Sequence, residues 1–184
     1  MFGDWLDGLR ADGEKQVWIA LSASRLTKDG EIRPDKLVGA WVRMLCAGAC
    51  GHPVAGWLIG PDATVHLPAI EPDAAAGRLR DVLAAWRAGM QAPLPFAART
   101  ALAWVKEGDA ARAYEGGFNS PFKEVDEPCL ARIYPDFDVL SADGRFAHYA
   151  SRLFAPLDEW ARSEVELTAH TGGRDTVAED ARDE

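Results

Sequence analysis

Val17-Trp18-Ile19-Ala20-Leu21 is an unbroken apolar run, and its reading decides the fold. Successive side chains of a strand point to opposite faces, so a run apolar at every position reads as a central strand covered on both faces. Before it, residues 4–10 form a first strand. Ala11-Asp12-Gly13-Glu14 joins the two, and Asp-Gly between apolar runs signals a hairpin. After it, residues 25–33 read as a polar loop, and Pro34 is suited to start a helix. Leu37, Trp41 and Leu45 recur every four residues beside Val38 and Val42, with only Lys36 and Arg43 as a polar edge. This predicts a largely buried helix, ended by Gly48 and Gly51. Ala55–Ile59 and Thr64–Leu67 are two short strands around Gly60-Pro61-Asp62. A further helix starts near Asp73, after Pro72. It buries Leu79, Val82, Leu83 and Trp86 at helical spacing, and Gly89 closes it.

The order strand, strand, buried helix, strand, strand, then helices predicts an α/β fold, a mixed central sheet flanked by helices. Gly89-Met90-Gln91-Ala92-Pro93-Leu94-Pro95-Phe96 leads from one helix into the next. Its two prolines fix φ, remove two donors and hold the preceding residues extended. The segment is not P-x-x-P, so it reads as a brace packed on its own domain rather than a ligand for proline-reading domains. Ala97–Lys106 is a shorter helix. Residues 107–142 are Gly-, Pro- and acid-rich, with turns at Gly116-Gly117 and Asn119-Ser120-Pro121. A last helix from about Asp143 carries Phe146, Tyr149, Leu153, Leu157 and Trp160, and Pro156 is expected to kink or restart it.

At 184 residues and 48% apolar composition, the chain is long enough for one domain with a proper core. The reading places that domain at 1–162 and an acidic, disordered tail at 163–184. The net charge of −9 is uneven: residues 158–184 hold nine acids against three Arg, and the rest is near balance. Neither part is the basic surface expected of an autonomous nucleic-acid binder. No apolar run of membrane-spanning length and no basic-then-apolar leader is found. Cys46, Cys50 and Cys129 are no disulfide framework. The expectation is a soluble, cytoplasmic protein with no membrane partner.

The fold order could host a metal-dependent nuclease, which needs a carboxylate and a lysine one residue apart on a strand to hold Mg²⁺ and steady the attacking water. None of the five lysines has an acid two positions before it: Gly13, Leu26, Pro34, Trp104 and Pro121 stand there. The strand expected to carry the pair, Ile19-Ala20-Leu21-Ser22-Ala23-Ser24, has no ionisable group. Cys46, Cys50 and His52 lack a fourth ligand and read as small side chains packed at a helix end. Cys129 reads as structural. His52 and His66 stand outside any nucleophile motif. Glu124, Asp126 and Glu127, with Asp136 and Asp138, match no EF-hand spacing and read as a solvated loop. Arg78, Arg80 and Arg87 read as exposed helix faces, with a partner or phosphate contact as the alternative. Phosphate-binding glycine motifs are absent. No cofactor and no small-molecule substrate is expected.

Ser24-Arg25-Leu26, then Leu37-Val38-Gly39-Ala40-Trp41-Val42-Arg43-Met44-Leu45, the helix and strap Leu83–Phe96, Thr100-Ala101-Leu102-Ala103-Trp104, and Leu153-Phe154-Ala155-Pro156-Leu157 together resemble the C-terminal domain of RecC, the gamma subunit of exodeoxyribonuclease V. The resemblance runs over about residues 5–162. It implies the core fold of the RecB-type, restriction-endonuclease-like nuclease without its active site. It also implies partnership with RecB-like and RecD-like subunits, and with DNA in the context of that complex. At 184 residues the chain would be a fragment of a larger subunit or a separately expressed domain.

The function expected is a non-catalytic scaffold and DNA-guiding domain. Pro93, Leu94, Pro95, Phe96 and Trp41 shape it, and Arg25 and Arg43 are candidates for polar contacts. Two alternatives stay open. One is a metal-dependent nuclease with a migrated site drawing on Asp7, Asp12 or Lys15. The other is a stand-alone protein-binding module.

Overall fold

The computed structural model describes residues 7–13, 15–117 and 123–170. The strands are β1 (Leu9–Asp12), β2 (Lys15–Leu21), β3 (Thr27–Lys28), β4 (Glu31–Ile32), β5 (Ala55–Ile59), β6 (Ala63–Leu67) and β7 (Glu166–Ala169). Five make the main sheet in the order β1-β2-β5-β6-β7, and β3 pairs with β4 separately. β2 and β5 run parallel, joined through helix α1 (Val38–Ala49), while the other main-sheet pairs are antiparallel. This is the mixed α/β architecture expected from the element order.

The β1–β2 hairpin turns at Gly13, φ +63, with Asp12 opposite Lys15. Trp18 lies opposite Gly56, and a Cβ on Gly56 would come 2.9 Å from the indole. The absent side chain is what lets the ring lie flat on the sheet. Trp18, Leu58, Val65 and Leu67 form one buried face, continuous with Trp41, Met44 and Leu45 of α1.

The other face corrects the expectation of a strand covered on both sides. Val17 pairs with Ala55, Ile19 with Trp57 and Leu21 with Ile59, giving a block of apolar side chains on one surface. Leu21 is 81% exposed and Trp57 38%. Val17 and Ile19 are half-buried; periodicity reports that both faces are apolar, but not how far the described residues cover each one.

Residues 25–33 are not a polar loop. Asp29 and Gly30, at φ +54 and +84, close the β3–β4 hairpin with the same Asp-Gly signal found at residues 12–13. Its anchor Leu26 is fully buried. A 3₁₀ turn, Pro34–Lys36, opens on its proline and leads into α1. Gly48 lies inside α1 rather than ending it: a Cβ there would come 2.6 Å from the Ile70 carbonyl and 2.8 Å from Ala75 Cβ. It is the contact point with α2 (Pro72–Gly89). That close approach makes Ala75 and Ala85 the buried residues of α2. Of the expected stripe, Leu79, Val82 and Leu83 are half-buried, with Leu79 and Val82 packed against the core, while Trp86 is exposed.

The acid-rich region after α3 (Ala98–Val105) folds into α4 (Ala110–Glu115), α5 (Pro128–Ile133) and α6 (Phe137–Ser141). Each begins with a carboxylate accepting a backbone N–H three residues on: Asp109 from Arg112, Glu127 from Leu130, Asp136 from Val139. These acids satisfy orphan donors at helix starts, so the solvated-loop expectation fails for them. Asn119-Ser120-Pro121 lies outside the described residues. The last helical segment is α7 (Arg145–Tyr149), a π turn (Ala150–Phe154) and α8 (Ala155–Ser163). Pro156 sits in the first turn of α8, the expected restart. A proline cannot supply the i→i−4 bond, and the wider turn takes up the mismatch. Glu166–Ala169, which the sequence reading assigned to the tail from 163, instead extend the sheet as β7. Residues 171–184 lie outside the described ones.

Candidate functional site

The strand that the sequence reading assigns to a nuclease's metal ligands is β2. It ends at Leu21, so Ser22-Ala23-Ser24 fall beyond it, with the Ser22 amide donating to the Ile59 carbonyl at 2.8 Å. A notch of about 380 Å³ opens at this end, lined among others by Asp7, Trp18, Leu21, Lys36 and Arg43. The Trp18 indole donates to the Asp7 carbonyl at 2.8 Å. Arg43 is exposed, donates to the Gly39 carbonyl at 3.1 Å, and holds its guanidinium carbon 6.0 Å from the Trp18 ring centroid, at the outer reach of a cation–π contact.

Asp7 and Asp12 are five residues apart along β1 and its approach, on the order of 15 Å in extended chain. Asp12 is paired with Lys15 at the hairpin end, away from the notch. Asp7 lines the notch, while Asp12 and Lys15 are register neighbours at the hairpin end. No group of three His, Cys, Asp or Glu among the described residues is placed to hold a metal. Cys46, Cys50 and Cys129 are exposed thiols, not the packed side chains expected. His66 is half-buried, its ring tilted against Trp57 with centroids 4.5 Å apart, and its Nδ1 is 3.7 Å from Glu166.

The strap follows α2 and runs into α3. Pro93 is exposed, Leu94 half-buried, Pro95 buried and Phe96 half-buried. Phe96 meets Tyr149 and Phe154 at 5.9 and 5.8 Å between centroids, so it packs on α7 and the π turn of its own domain. The Tyr134 hydroxyl donates to the Pro93 carbonyl at 3.0 Å, and the Tyr134 carbonyl accepts from Tyr114 at 2.6 Å. Tyr114 is fully buried. Burial first, and the nearby Glu124 second, push its hydroxyl up to about 12. The strap's conformation is thus fixed by two tyrosines that the sequence reading did not single out.

Of the other candidates, Trp41 is a core residue on α1, while Arg25 is exposed on the link from β2 to β3. The structure brings Pro93–Phe96 together with the C-terminal helices. Trp41 and Arg43 lie apart from them on α1.

Two carboxylates organise the region around the site. Asp62, in the β5–β6 turn, accepts from the Leu26 and Thr27 amides at 2.9 and 3.0 Å and from the Thr27 hydroxyl at 2.6 Å. The Thr27 hydroxyl contributes most to holding it at about 2. Its carbonyl accepts the His170 amide, so one residue ties β3, the β5–β6 turn and the end of β7. Glu124 accepts from the Arg99 and Thr100 amides and the Thr100 hydroxyl, capping α3 from a distant part of the chain. The caps at Asp109, Glu127 and Asp136 were legible as acids three residues before a helical donor. Asp62 and Glu124 act across the fold and carry no local signal.

These features define a mixed α/β domain in which residues 17–24 carry no ionisable side chain and Leu21 and Trp57 are exposed on the second sheet face. Residues 2–109 match the model of the family described as the RecC C-terminal domain. The match spans more than half of the chain, and the chain belongs to that family. It contains β1 through α3, including the strap, whereas Leu153–Leu157 of the resemblance lies beyond it. A RecC domain brings with it the context of the RecBCD complex. Comparison with curated proteins finds no match. No helix among the described residues is long and apolar enough to cross a membrane.

Proposed function

We propose that this domain is a non-catalytic scaffold and DNA-guiding element of a RecBCD-type helicase–nuclease complex, acting in double-strand break repair and homologous recombination in the cytoplasm. It would keep a nuclease-like core and use it for architecture. The observation that carries the reading is β2: within a chain of the RecC C-terminal family, residues 17–24 present Val, Trp, Ile, Ala, Leu, Ser, Ala and Ser. A metal-dependent hydrolase needs charged oxygen ligands and a general base at such a strand, and none of these side chains supplies either.

The exposed Leu21 and Trp57 support the scaffolding part. A contiguous apolar patch on a soluble surface marks a place where another surface docks. RecB-like and RecD-like subunits are the expected partners, and DNA is met within the assembly.

Two measurements test the reading. Linear double-stranded DNA incubated with the purified chain and Mg²⁺ or Mn²⁺ is expected to remain intact. Metal-dependent cleavage lost in Asp12→Ala would instead establish the migrated-site nuclease. In a pull-down, the chain is expected to retain RecB-like and RecD-like subunits, and retention of neither would favour a stand-alone module.

A further inference from the structure

An open cleft of about 710 Å³ separates the β3–β4 hairpin from α3. Ile32, Pro34 and Leu102 give it an apolar floor, and its rim carries five Lys or Arg against three Asp or Glu. That local excess of positive charge stands on a chain of net −9. Three parts of the chain supply the five cations: Lys28 the hairpin, Arg33 and Lys36 the start and end of the 3₁₀ turn, and Arg99 and Lys106 the first turn of α3 and the residue after it. We propose that this cleft docks an acidic, amphipathic segment of a partner protein. The inference rests on the scaffolding reading above and names the surface and chemistry of one partner contact.

Charge complementarity sets the sign of the occupant, and the floor sets its character. Arg99 and Lys106 are seven residues apart, about 10 Å along a helix at its usual rise. Glutamates seven residues apart on a partner helix match that spacing, with apolar residues between them on the floor. The Lys106 ammonium already lies 3.3 Å from the fully buried Asp158 carboxylate and is still 41% exposed. It can therefore take a second carboxylate from the open side.

A polynucleotide fits less well. Asp29 and Glu31 stand at the hairpin tip, and Asp35 already pairs with Arg33 and Lys36. A phosphate chain would meet these acids as repulsion, whereas a polypeptide can answer them with its own cations. Among the described residues, the lining also has no aromatic side chain on which bases could stack.

The test uses the full chain and a fluorescein-labelled helical peptide carrying glutamates seven residues apart with leucines between them. A second peptide has lysine at those glutamates, and an oligothymidylate serves as the nucleic-acid probe. Anisotropy is expected to show saturable binding of the acidic peptide only. Lys28→Glu and Arg99→Glu, each checked for an unchanged melting temperature, are each expected to weaken it by about tenfold or more, which is at least about 1.4 kcal/mol. The proposal is overturned if the acidic peptide does not saturate, if both folded variants bind it unchanged, or if oligothymidylate binds the cleft more tightly. Because no partner subunit is present in this assay, failure here leaves the scaffold reading to its own pull-down test.

Discussion

The Tyr134 hydroxyl donates to the Pro93 carbonyl at 3.0 Å across 41 residues of sequence. Its own carbonyl accepts from the buried Tyr114 at 2.6 Å. A strap whose prolines lack N–H groups cannot hold itself in place by backbone pairing at those positions, so the chain that follows supplies the bonds.

This order of burial predicts an order of stability loss. Tyr134→Phe removes a bond to a carbonyl on the exposed Pro93, where water can substitute, and is expected to cost about 1 kcal/mol. Tyr114→Phe strands an acceptor in the interior and is expected to cost about 1–3 kcal/mol. Urea unfolding of both variants checks the ranking, and equal losses would contradict it.

Phe96 and Phe154 meet edge-on with centroids 5.8 Å apart, and Phe154 is buried. Phe154→Ala is expected to destabilise by about 3–5 kcal/mol, and the half-buried Phe96→Ala by less. A double-mutant cycle is expected to give a coupling of about 0.5–1.5 kcal/mol. A coupling near zero would mean that the strap does not rest on the π turn.

Two glycine substitutions are expected to act in opposite directions. Gly48→Ala puts a methyl 2.6 Å from the Ile70 carbonyl at the α1–α2 contact, an overpacking of about 1–3 kcal/mol. Gly77, inside α2, has nothing within 4 Å of an added Cβ, so Gly77→Ala is expected to stabilise by about 0.5–1 kcal/mol through helix propensity. Melting temperatures measured side by side decide both signs.

Asp62 gives a pH signature. Its carboxyl is lowered from 3.8 to about 2, first by the Thr27 hydroxyl. A depressed acid contributes stability that is present above its unfolded value and lost as pH falls through its folded one. The tie between the β5–β6 turn and β3 is therefore expected to hold at pH 4 and above, and to weaken between about 4 and about 2. In Asp62→Asn, amide exchange at Leu26 and Thr27 is expected to be faster at neutral pH and to lose that added dependence.

Local chemistry made part of this fold readable in advance. The apolar run at Val17–Leu21, the Asp12-Gly13 turn, the α1 stripe and Pro156 all act through neighbours in sequence, where periodicity and φ restriction operate. The Asp29-Gly30 hairpin and the carboxylate caps are written in the same local code, but they lie in stretches whose polarity also fits a loop. β7 was hidden differently: Glu166–Ala169 has a single large apolar side chain, Leu167, and it becomes a strand because β6 offers it an unpaired edge.

By itself, the sequence determined the mixed α/β class, the absence of a carboxylate–lysine pair on β2 and the family resemblance, since each depends on residue identity and spacing along the chain. Only tertiary structure decided that Leu21 at the end of β2 is exposed, that Gly48 is a contact point, and that Asp62 and Glu124 tie distant segments. It also decided that the strap is held by Tyr134. These depend on which surfaces meet in space, and the free energy of such a contact belongs to both partners, so neither segment's sequence carries it alone.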